Sequence, residues 1–124
     1  MSVPMDENKF KKIKKNFEAH GGVMDSSPDL DRLLDLLDAE AATVDQNTII
    51  VRYSKIPSIS AIYEELIHTT QYRNNKATGD NQLDMEIEAK RKLIKYQKQY
   101  EIPNSENEIT KKQVEALLKM KEEI

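Results

Sequence analysis

Residues 59 to 73 constrain this chain more tightly than any other stretch. Ile59, Ile62, Tyr63, Leu66 and Ile67 recur at i, i+3, i+4, i+7 and i+8, the period of one helical face. Pro57-Ser58 precedes them, with Ser58 placed to cap the first turn. A helix over residues 58–74 is therefore predicted, its apolar stripe turned to the core. At about 100° per residue, Glu64, His68 and Gln71 gather on the opposite side. Any fold built on this helix must give that polar side a neighbour or leave it in water.

The remaining segments supply the candidates. Residues 6–20 read as a helix with Phe10, Ile13 and Phe17 on one stripe and five lysines around it. Gly21-Gly22 stops it, and His20 sits where the helix dipole favours a positive imidazole. Ser27-Pro28 opens a second helix carrying Leu30, Leu33, Leu34 and Leu37, with an acidic face from Asp29 to Glu40. Both charged faces read as solvated. Asp45-Gln46-Asn47 is a turn signal before the β-branched run 48–53, which pairs with 41–44 as a small hairpin. A loop around Gly79 leads to a helix over 83–100, and Pro103 separates it from a last helix over 106–122. The expected fold class is mainly α (α+β): about five helices around one short β-hairpin, with helix 58–74 antiparallel to helix 83–100.

Composition narrows the chemistry. At 124 residues and 14.3 kDa, the chain suits a single domain spanning residues 1–124. Having no Cys, it can form no disulfide framework, thiol nucleophile or cysteine metal site. Its two histidines, His20 and His68, cannot make a three-histidine zinc site, and three glycines cannot build a phosphate-binding loop. The net charge of −3 gives no field toward nucleic acid or an anionic membrane. Lys90, Arg91, Lys92, Lys95 and Lys98 wind around their helix as a solvated surface or a dock for the acidic second helix. No apolar run approaches a membrane span and the first residues lack a signal-peptide stretch, so a soluble, cytoplasmic protein is expected. None of the serines has a nucleophile-elbow setting.

What chemistry remains lies between two helices. Glu64 and His68, four apart, can reach a single ion, and Glu65 stands beside Glu64. In a helical hairpin centred near residue 78, His68 comes level with the turn that carries Glu86 and Glu88. Helical projection turns Glu86 inward and leaves Glu88 nearer solvent. A buried carboxylate needs a partner, and His68 is the obvious one. The same residues also permit a metal-free polar seam. In that arrangement Glu64 and Glu65 meet Arg91 and Lys92, His68 bonds Glu86 or Glu88, and Gln71 caps the network.

The run Glu64-Glu65-Leu66-Ile67-His68-Thr69-Thr70-Gln71-Tyr72-Arg73, with Glu86-Ile87-Glu88-Ala89-Lys90 after it, resembles small zincin-like, metallopeptidase-like domains. Such domains occur at the C-terminal ends of bacterial polymorphic toxins and in phage or mobile-element proteins. The resemblance covers roughly residues 37–100. It implies Glu65 as general base, His68 as a metal ligand, and Glu88 (by the match of Glu88-Ala89) or Glu86 as another. Glu64 stands where the family's H-E-x-x-H helix has its first histidine, so the implied ligand set is rich in oxygen. Zinc, manganese or iron could occupy it, or no ion at all. The implied function is a metal-dependent hydrolase, possible as a toxin-type effector with a protein substrate or immunity partner and delivered from its producing cell. The alternatives are a non-enzymatic interaction module on a degenerate zincin-like fold and a metal-independent toxin using His68 and Glu65 as acid and base. Oligomeric state is not legible.

Overall fold

Local capping sets the frame of the computed structural model, which describes residues 3–124. Helix α1 (Glu7–Ala19) starts where the Asp6 carboxylate accepts the Lys9 amide at 3.0 Å. It ends at His20, whose Nδ1 lies 2.8 Å from the Asn16 carbonyl, and Gly21 makes the turn at φ +88°. Gly22 serves a different need. A Cβ there would stand 2.5 Å from the ring of buried Phe17, so the absence of a side chain lets the chain double back against the helix.

That return forms β1 (Val23–Asp25), a strand absent from the expected hairpin. The hairpin itself is β2 (Ala41–Asp45) against β3 (Thr48–Val51), antiparallel, with a register shift between Thr43 and Asp45. β1 pairs in parallel with β3, giving a three-stranded sheet of order β1-β3-β2. Before the hairpin, α2 (Pro28–Leu36) is capped by Ser27, whose hydroxyl accepts the Leu30 amide at 3.1 Å. Only Leu34 of its leucines is fully buried; Leu36 is 85 % exposed. β3 stops at Val51, two residues short of the expected 53, because α2 captures the next three residues. Asp31 accepts the amides of Tyr53 and Ser54 at 2.7 and 3.1 Å, and Arg52 reaches Asp35 at 2.5 Å.

α3 (Ile59–Arg73) crosses this sheet, capped by Ser58 through the Ala61 amide at 3.3 Å. Ile59, Ile62 and Ile67 join Phe17, Met24, Ala41, Ile49 and Val51 in the core. Its polar side is buried too, since Glu65, His68, Thr69 and Gln71 are all buried. β2 covers one flank, and α4 (Gln82–Lys95) lies antiparallel along the other.

The expected helix 83–100 breaks at Tyr96, giving α4 and a separate turn, α5 (Gln97–Tyr100). The break lets Tyr100 stack on Tyr63 of α3, centroids 4.1 Å apart and planes within 6°. Glu101 then takes a left-handed conformation, φ 60°, and the chain enters α6 (Asn104–Glu122) along α4. Among the described residues there are thus six helices with one small sheet, a mainly α (α+β) chain. No helix among the described residues is long and apolar enough to cross a membrane.

Candidate metal centre

The α3–α4 pairing makes a ladder of polar rungs. Lys90 Nζ donates to Glu64 Oε1 at 2.6 Å, and His68 Nε2 lies 3.2 Å from Glu86 Oε1. Both rungs are symmetric about Ala77, one residue earlier than the expected hairpin centre. That single-residue difference brings Glu86 level with His68 and takes Glu88 past it. Glu64, His68 and Glu86 each offer one ligand atom, all within 4.8 Å of one another.

Below this group His68 Nδ1 sits 2.7 Å from Gln71 Oε1, and Gln71 Nε2 donates to the Met85 carbonyl at 3.0 Å and to Glu88 Oε1 at 2.9 Å. Glu88 pairs with Lys76 at 3.2 Å and Lys92 at 3.8 Å. It is therefore not brought into the ligand group, although its side chain is as exposed as that of Glu86, 36 % against 34 %. The sequence-level expectation that Glu64 and Glu65 would meet Arg91 and Lys92 is also corrected. Lys90 answers Glu64, Lys92 turns to Glu88, and Thr43 of β2 answers Glu65. Lys90 and Lys92 are engaged by the glutamates of α3 and α4 and not by the acidic face of α2.

Glu65 is placed by the sheet. The Thr43 hydroxyl lies 2.9 Å from Glu65 Oε1 and 3.0 Å from the Glu65 carbonyl, so the side chain is held on the β2 flank. Burial, reinforced by the charge of Glu64, pushes its carboxyl up to about 7. For His68 burial works against the charged form. The hydrogen bonds to Glu86 and Gln71 and the nearby carboxylate charges outweigh it, raising the imidazole to about 9. Glu86 is held below the usual carboxylate range by its hydrogen bond to His68.

These groups line an open cleft of about 900 Å³ between the β2 edge, α3, α4 and the start of α6. Glu64, Glu65, His68 and Glu86 all border it, as do Glu40 and Glu106 farther along. Glu106 was not singled out by sequence, and Glu40, read there on the solvated face of the second helix, instead joins it in serving the start of α3. Glu40 accepts from the Ser58 amide and hydroxyl at 3.1 and 3.2 Å, and Glu106 from those of Ser60 at 3.2 and 2.5 Å. Thr43 and Lys90 were likewise missed as partners. Their only sequence signal was position, on the strand before α3 and on the helix paired with it.

No protein family, curated protein or solved structure matches the chain. The site therefore stands on its own geometry.

Proposed function

We propose that the chain binds one divalent cation through Glu64, His68 and Glu86 and hydrolyses a peptide or related bond in the adjoining cleft. The observation that carries this is the convergence of three ligand atoms from two helices, within 4.8 Å of one another, on the wall of an open cleft. The 3.2 Å between His68 Nε2 and Glu86 Oε1 suits two ligands of one ion, since bonds of about 2.0–2.1 Å place tetrahedral neighbours about 3.3 Å apart. One imidazole and two carboxylates are a donor set for zinc, manganese or iron(II). A cation there would polarise a substrate carbonyl and acidify water.

Glu65 supplies the proton acceptor. Thr43 occupies its Oε1, which leaves Oε2 to take a proton, and a carboxyl near 7 both gains and loses one at neutral pH. The resemblance to zincin-like domains supports the same roles for Glu65 and His68. A fluorescence-quenched peptide library tests the reading with zinc- or manganese-loaded protein. Glu65→Gln should slow cleavage at least about 100-fold with metal affinity unchanged. Equal cleavage by that variant, or cleavage indifferent to a chelator, would overturn it.

A second reading has its own observation. Lys90 Nζ, 2.6 Å from Glu64 Oε1, balances that carboxylate while a charged His68 balances Glu86. The seam is then neutral without an ion, as in an interaction module whose polar contacts orient α3 on α4. A thermal midpoint that zinc and manganese leave unmoved would favour this reading.

A further inference from the structure

We propose that Gln71 is the positioning residue of this centre, fixing which nitrogen of His68 faces the cleft. The functional consequence rests on the metal-centre reading, whereas the geometry belongs to the metal-free chain. Gln71 is 1 % exposed, and both ends of its amide are bonded to protein groups. Its Nε2 lies between the Met85 carbonyl and Glu88 Oε1, at 3.0 and 2.9 Å. Both partners only accept hydrogen bonds, so the amide nitrogen must point at them and Oε1 must point at His68. An amide oxygen also only accepts. His68 Nδ1, 2.7 Å away, must therefore carry the hydrogen.

This leaves Nε2 directed at Glu86 and the cleft, as a lone pair for an ion or as a donor to the carboxylate at 3.2 Å. Flipping the amide would set its oxygen against two acceptors, and burial keeps solvent from relieving the conflict. Glu88 thereby acts one step removed. Lys76 and Lys92 hold Glu88, Glu88 holds Gln71, and Gln71 holds the ring. The chain of contacts makes Glu88 a support for the centre instead of one of its ligands.

Two variants and two readouts test this. Gln71→Leu removes both the acceptor and the donor, while Glu88→Gln keeps an acceptor for the Gln71 amide nitrogen and so keeps the amide oxygen against Nδ1. In a His20→Gln background His68 is the only histidine, so its ring signals in ¹⁵N–¹H spectra are unambiguous. Metal-free protein should show a protected His68 Nδ1–H in the parent and in Glu88→Gln but not in Gln71→Leu. Calorimetric titration with Zn²⁺ should show affinity lowered about 10- to 100-fold by Gln71→Leu and by no more than about threefold by Glu88→Gln. A protected Nδ1–H in Gln71→Leu, or unchanged Zn²⁺ affinity in that variant, would overturn the inference. Failure of the parent to bind Zn²⁺ would sink the metal-centre reading alone, because the spectra still decide the role of Gln71. If Gln71→Leu does not fold, Gln71→Asn, too short to reach Nδ1, gives the same two readouts.

Discussion

Lys90 is the residue on which the two readings of the centre turn. Its ammonium occupies Glu64 at 2.6 Å, with side chains only 13 % and 18 % exposed, so an incoming cation competes with it for the same carboxylate. Replacing Lys90 with Met should raise Zn²⁺ affinity about tenfold by calorimetry, since Glu64 is then left without a counter-charge. The same change should lower metal-free stability by about 2 kcal/mol in urea denaturation. At this scale the sequence revealed much of the site. Spacing on one helical face identified Glu64, His68 and Gln71, and projection favoured Glu86 as the inward carboxylate. It could not choose Lys90 over Arg91 or Lys92. That choice depends on a hairpin centre one residue away from the expected position, set by the conformation of the Lys76–Asn81 turn and not by any apolar pattern.

The elements hold the residues, and α3 is held at its first turn by two carboxylates from distant segments. Glu106, 3 % exposed, receives the Ser60 amide and hydroxyl. Glu106→Ala should cost about 2–3 kcal/mol, because a part-buried amide and hydroxyl lose their carboxylate acceptor at the positive end of the helix. A shifted urea midpoint with unchanged slope would check it. Gly22→Ala should cost about 1–3 kcal/mol by driving a Cβ into the Phe17 ring, read from the same curves. The caps at Ser27 and Ser58 and the hairpin turn at Asp45-Asn47 were legible because each is a local contact between a side chain and amides a few residues away. β1 was not, since three residues carry no periodicity and their partner β3 lies across α2 in sequence. Nor was the break at Tyr96, which answers to the stacking of Tyr100 on Tyr63.

For the whole molecule, the buried charges make stability depend on pH in a definite direction. His68 is raised from 6.5 to about 9, so its contribution is complete below 6.5 and lost as pH rises through 9. Glu65 is raised from 4.5 to about 7, so its protonated form favours folding at low pH and that advantage is lost as pH rises through 7. Glu86 works oppositely: its depressed value gives stability above 4.5 that fades as pH falls. Metal-free protein should therefore be most stable at about pH 4.5–5 and weaken steadily toward pH 9, with His68→Gln flattening the upper limb of urea midpoints against pH. Metal binding must displace the proton on His68 Nε2, so affinity for a cation should rise over the same range. The most direct test of the account is a calorimetric titration of chelator-treated protein with Zn²⁺ and Mn²⁺ at pH 8, beside His68→Ala. The account predicts one ion per chain in the parent and at least about a hundredfold weaker binding in the variant. No binding of either ion by the parent, or equal binding by His68→Ala, would contradict it.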